Sequence, residues 1–142
     1  MKDTFTAKAT TTINASASDV WAALTKPELI KQYLFDTEVI SDWKVGSPIT
    51  YKGVWEGKAF EDKGKILKSE PEKLLVSTHW SPLSGVPDSP ENYHTVTYTL
   101  AAMGESTEVT ITQDNNSTEE EKAHSEKNWR TVLNGLKKML EN

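Results

Sequence analysis

The chain has 142 residues, enough for one domain whose core needs no covalent staples. Its 16 basic against 21 acidic residues leave a net charge of −5, which gives no electrostatic footprint for nucleic acid or an anionic membrane. Cysteine is absent, which excludes a disulfide framework, thiol catalysis and cysteine-ligated zinc.

The opening residues Met1-Lys2-Asp3-Thr4-Phe5-Thr6 contain no apolar signal-peptide core. No later run approaches the roughly 18 apolar residues of a membrane span, so a cytoplasmic protein is expected. Residues 4–13 alternate, with Phe5, Ala7, Ala9, Thr11 and Ile13 on one face, as a half-buried strand does. Ser16 or Ser18 can cap a short helix buried through Val20, Trp21 and Leu24. Lys26-Pro27-Glu28 restarts a second, with Leu29, Ile30, Tyr33 and Leu34 as its apolar side.

Residues 35–40 read as a second strand, and residues 42–48 as a turn region. Arms at 49–55 and 58–69 flank the two-residue connection Glu56-Gly57, with Gly64 read as a bulge. Residues 73–80 form the next strand, and the proline-containing segment 81–92 the longest loop. Residues 93–100 and 105–114 form a last hairpin around 101–104, rich in Thr, Val and Ile.

The final segment carries the clearest pattern. Trp129, Val132, Leu133, Leu136, Met139 and Leu140 fall on one stripe of a helix. A capping box at its start uses Ser117 with Glu120, or Thr118 with Glu121. The fold class is therefore α+β: one strand, two short helices, about six antiparallel strands, then a long helix laid across the sheet that cannot bury its own face.

Three stretches carry a resemblance. Residues 13–25 (Ile-Asn-Ala-Ser-Ala-Ser-Asp-Val-Trp-Ala-Ala-Leu-Thr) match a strand-to-helix entry. Asp42-Trp43-Lys44-Val45-Gly46-Ser47 and Trp55-Glu56-Gly57 stand at the strand starts and the hairpin. Residues 128–138 match a closing helix with its tryptophan and leucines. In this order they resemble the activator of heat-shock-90 ATPase homologue family, of the START-like, polyketide-cyclase-like superfamily. The resemblance implies a helix-grip fold, in which a curved antiparallel sheet grips the long helix around an apolar cavity. It also implies either a hydrophobic ligand or a chaperone as partner. The namesake carries a separate N-terminal chaperone-binding domain for which this sequence has no room, which speaks against ATPase activation.

Within that frame, Tyr51 and Trp55 share one strand face, and Val76, Thr78 and Trp80 another, as do Val96, Tyr98 and Leu100. With those faces inward, Tyr51, Trp55, Trp80 and Tyr98 surround a space closed by Trp129 and Leu133, with Ser125 at its mouth. The alternative is that these rings simply fill the core, and that the polar first half of the helix overhangs into solvent. His79 and His94 flank the long loop, but the sequence has no H-x-x-x-H or H-E-x-x-H pattern, no nucleophile elbow and no phosphate loop. No metal and no cofactor are expected. The leading expectation is a non-enzymatic binder of a small apolar or aromatic ligand, a monomer or weak dimer. The alternatives are a chaperone-interaction module and a cyclase-like enzyme using His94 and Tyr98.

Overall fold

The computed structural model describes residues 4–141; the side chain of Trp55 lies outside the described residues. The elements in chain order are β1 (Phe5–Ile13), α1 (Ala17–Thr25), α2 (Pro27–Tyr33), β2 (Glu38–Ile40), β3 (Pro48–Trp55), β4 (Lys58–Glu70), β5 (Leu74–His79), β6 (His94–Met103), β7 (Ser106–Asn116) and α3 (Glu119–Leu140). Single 3₁₀ turns at Pro82–Ser84 and Pro90–Asn92 shape the loop between β5 and β6.

Among the described residues, seven strands form one sheet in the order β1-β7-β6-β5-β4-β3-β2, with every pair antiparallel. Strands β2 to β7 pair in sequence order, as a meander should. The first strand instead joins the last, with Ala7 opposite Gln113 and Ile13 opposite Thr107. This α+β arrangement, a long helix held by an open sheet with two short helices after the first strand, is the helix-grip architecture that the resemblance implies.

Local chemistry explains the elements. Ser16 accepts from the Asp19 N–H at 3.1 Å and caps α1. Thr118, rather than Ser117, caps α3, accepting from the Glu121 N–H at 3.0 Å. Glu56 and Gly57 have φ of 50° and 81°, the paired positive values of a type I′ turn. The last hairpin is tighter than its sequence reads: Met103 pairs with Ser106, so β6 extends through Ala101–Met103 into the segment read as a loop.

The strand read at 35–40 starts only at Glu38, because Phe35 and Asp36 adopt φ of 51° and 62° in the turn that ends α2. Gly64 is not the bulge. The register shift falls between Ile66 and Lys68, and Gly64 is required by close approach: a Cβ there would lie 1.7 Å from the Thr78 carbonyl oxygen.

Helix α3 packs over β1 and β7. Buried Leu133 and Leu136 pack with Ala9, Ile13, Val109 and Ile111 of the sheet and Val20, Ala23 and Leu24 of α1, while Val132, also buried, lies outside that cluster. Gly135 admits α2 rather than a strand, since a Cβ there would meet that of Tyr33 at 3.3 Å. The outer edge of β1 is not left bare. The Lys8 and Asn14 N–H groups donate to Glu126 at 3.0 Å and Glu141 at 2.8 Å, and Lys137 donates to the Thr12 carbonyl at 2.8 Å. These contacts cover backbone groups that would otherwise template edge pairing.

Candidate functional site

Among the described residues, a small space lies between α2 and the sheet and a larger one between α3 and the sheet, and Val132 borders both. The smaller is about 20 Å³, room for roughly one water, walled by Tyr33, Tyr51, Tyr98 and aliphatic neighbours such as Ile49 and Leu75. Burial holds its phenols protonated. The Tyr51 phenol is pushed up to about 12 by desolvation, with the Ser77 hydrogen bond lowering it and the Asp62 charge raising it. Tyr33 and Tyr98 are raised by burial as well. The Tyr33 hydroxyl donates to the Ala23 carbonyl at 2.7 Å, which ties α2 to α1.

The larger space is an open cleft of about 500 Å³. Its sheet wall carries Asp62 from β4, His79 from β5, His94 from β6 and Gln113 from β7. Its helix wall carries His124, Ser125, Asn128, Trp129 and Val132. The turn after α2 brings Leu34, Phe35 and Thr37, and the β3–β4 hairpin brings Val54 and Phe60. Trp80 and the loop after β5, through Leu83, Ser84 and Asn92, close one end.

The loop is held in place rather than draped. Trp80 stacks on Tyr93 with centroids 6.4 Å apart and donates its indole N–H to the Val86 carbonyl at 3.2 Å. Lys63 pairs with Asp88 and sits 5.8 Å from the Trp80 ring, and the Tyr93 hydroxyl donates to Asp88 at 2.6 Å. Those two partners hold the Asp88 carboxyl below the usual carboxylate range. Asn115, at φ 58°, donates to the carbonyls of Glu91 and Tyr93 at 2.8 and 3.0 Å.

A polar chain runs along the helix wall. The Trp129 indole donates to Gln113 Oε1 at 2.9 Å, and Gln113 Nε2 donates to Ser125 Oγ at 3.3 Å. Ser125 in turn donates to Asn116 Oδ1 at 3.1 Å. Asn116, fully buried, donates to the Phe5 and Gln113 carbonyls at 3.0 and 2.9 Å. In the first half of α3, Ser125 is buried against the polar end of β7, whereas Glu119, Glu120, Glu121, His124, Lys127 and Asn128 are exposed, as the overhang reading expected. The Trp129 ring also packs edge-on against Tyr98, centroids 5.9 Å apart.

Across the cleft, His79 Nε2 bonds Asp62 Oδ2 at 2.9 Å, and the Tyr51 ring meets the imidazole edge-on at 5.5 Å. Asp62 Oδ1 is buried without a hydrogen-bond partner among the described residues. His79 and His94 are register partners on β5 and β6. Among the described residues no group of three or more His, Asp or Glu is placed to hold a metal ion.

The residues chosen from the sequence thus divide. Trp80, Ser125 and Trp129 line the open cleft, whereas Tyr51 and Tyr98 line the smaller space. Leu133 lines neither and is 1% exposed in the core. Trp55 lies on β3, and its side chain falls outside the described residues. The inward face of β5 is Leu75, Ser77 and His79, the opposite of the face read from sequence; Trp80 reaches the cleft because the strand ends before it.

The sequence reading missed Gln113, Asn116 and Asp62. For the first two a signal exists in the run Asp114-Asn115-Asn116, since asparagine tolerates the left-handed conformation that bends the end of β7. For Asp62 there is none, because its approach to His79 depends on the register that the β4 bulge sets.

No curated protein matches the chain by sequence. Among solved structures, ChR145 from Cytophaga hutchinsonii is 56% identical, with all of this chain covering 97% of that one at a TM-score of 0.87. The Aha1 dimer from Colwellia psychrerythraea is 24% identical, with 96% of each chain covered and a TM-score of 0.74. Ara h 8.0201 shares the fold at 10% identity, with 97% of this chain covering 98% of that one at a TM-score of 0.75. A family model described as "Activator of Hsp90 ATPase homolog 1-like protein" matches residues 14–141, and the chain belongs to that family.

Proposed function

We propose that this protein binds a small, largely apolar or aromatic ligand in the cleft between α3 and the sheet. The observation that carries the reading is the cleft itself: about 500 Å³ of open space in which Phe35, Phe60, Trp80 and Trp129 supply apolar wall and His79, His94, Gln113 and Ser125 stand among the polar groups. Small-molecule sites combine apolar walls with polar groups that fix orientation, in volumes of roughly 300–1,000 Å³. Phe35, Val54 and Leu83 are 50%, 64% and 47% exposed at the rim. Each Å² of that apolar surface covered by a ligand contributes about 25 cal/mol. In this reading Trp80 and Trp129 contact the ligand body and Ser125 helps orient it through the Gln113 chain. Tyr51, Tyr98 and Leu133 support the wall from behind.

The test is a fluorescence titration with N-phenyl-1-naphthylamine, an uncharged aromatic probe. Val54→Asp and Leu83→Asp, both at exposed positions, are expected to weaken its binding by about tenfold each without moving the urea midpoint. Absence of saturable binding, or binding indifferent to both substitutions, contradicts the proposal.

A further inference from the structure

All three histidines of the chain line this one cleft, from three different elements: His79 on β5, His94 on β6 and His124 on α3. Of the 16 lysines and arginines in the chain, none lines it among the described residues, and Asp62 is the one carboxylate on its walls. A chain with so many charged residues has set this surface apart for imidazoles.

Hydrogen bonding fixes what two of the rings present. His94 Nδ1 lies 2.7 Å from the Asp114 carbonyl, which can only accept, so Nδ1 carries the hydrogen and the neutral ring offers Nε2 as an acceptor. The Asp62 carboxylate likewise holds the hydrogen on His79 Nε2, leaving Nδ1 as that ring's second nitrogen. His124 is exposed at the mouth. The charged neighbours are mostly engaged elsewhere: Lys63 with Asp88, Lys122 with Glu126, and the Asp114 carboxylate with the Thr95 N–H. Glu120, Glu121 and Lys127 stand within one turn of His124 on α3.

Histidine is the side chain that ordinarily changes charge between pH 5 and 8. A protonated imidazole is cationic and donates from both nitrogens, whereas a neutral one offers an acceptor, so these rings are the groups through which the wall can change its charge.

We propose that the cleft selects amphipathic organic acids, an aromatic or aliphatic body bearing one anionic group, and that it holds them more tightly at pH 6 than at pH 8. The body lies against Trp80 and Trp129, and the anionic group faces His94 and His124. This rests on the cleft being the ligand site, and adds to it the ligand's charge.

Two probes with the same ring system separate the ideas. 8-Anilinonaphthalene-1-sulfonate carries a sulfonate, and N-phenyl-1-naphthylamine does not. Titrated into the full chain at constant ionic strength, the sulfonate probe should tighten by about tenfold from pH 8 to pH 6, a modest Coulombic gain at a partly solvated site. The uncharged probe should change by less than about twofold, since it carries no charge for the imidazoles to act on. The double variant His94→Gln with His124→Gln should remove the difference, and His124→Gln alone, at an exposed position, should reduce it in a chain that still folds. Equal pH dependence of the two probes overturns the proposal while leaving the cleft as a ligand site. Tightening that survives in the double variant also overturns it. Failure of both probes to bind saturably overturns the cleft reading itself.

Discussion

Asn116 holds one wall of the cleft from behind. Its buried amide satisfies two backbone carbonyls and receives the Ser125 hydroxyl, so it fixes the end of β7 against α3. Asn116→Ala is expected to cost about 2–3 kcal/mol, because it strands several buried polar groups at once. Urea unfolding checks this, and a loss below about 0.5 kcal/mol would show the network to be dispensable. Gly64 offers a second test at the same scale. A Cβ at 1.7 Å from a backbone oxygen cannot be relieved by a rotamer change, so Gly64→Ala should destabilise by about 3 kcal/mol. Ser125 and Trp129 were legible because helical spacing places them beside the apolar stripe. Gln113 and Asn116 carried only the weaker signal of the Asn115-Asn116 pair, because polar residues at a strand end read as the start of a loop until their partners on α3 are known.

Helix α3 was the most legible element, since a stripe of period 3.6 and a capping box are both local signals. Its N-cap gives a contained prediction: Thr118→Ala should cost about 1 kcal/mol in urea unfolding. Affinity for N-phenyl-1-naphthylamine should be nearly unchanged, because Thr118 lies off the cleft. A large loss of probe affinity would mean that the first turn of α3 reaches the site. The strands were legible as strands, and β1 and β6 in their inward faces as well, but β5 was not. Period-2 alternation assigns a face only up to one residue of slip, and the bulge at Leu67 in β4 is such a slip. On β5, Leu75, Ser77 and His79 face inward where Val76 and Thr78 were expected, because alternation alone does not say which of the two faces is buried. The closing of β1 onto β7 has no local signature either, because it joins residues more than 90 positions apart, such as Ile13 and Thr107.

For the whole molecule, the tyrosines make the fold's tolerance of alkali predictable. All four have their phenols raised in the folded state, three mainly by burial and Tyr93 mainly by its bond to Asp88. A folded-state value raised above the unfolded value near 10 means that the unfolded chain releases its protons first. The stability this contributes is present in full below about pH 10 and is lost as pH climbs toward and through about 12, the folded value for Tyr51. Tyrosinate absorbance should lag behind a free-phenol curve and rise together with the loss of the folded-state tryptophan signal. A simple titration centred near pH 10 in the folded protein would contradict it.

The central claim is that the space beside Trp129 is a ligand site, and amide and indole chemical shifts of the ¹⁵N-labelled protein titrated with N-phenyl-1-naphthylamine test it most directly. The account predicts saturable shifts concentrated on the Trp80 and Trp129 indole N–H groups, the Gln113 side-chain amide and the backbone around His79 and Ser125. Shifts confined to the outer face of the sheet, or none at saturating probe, would contradict it.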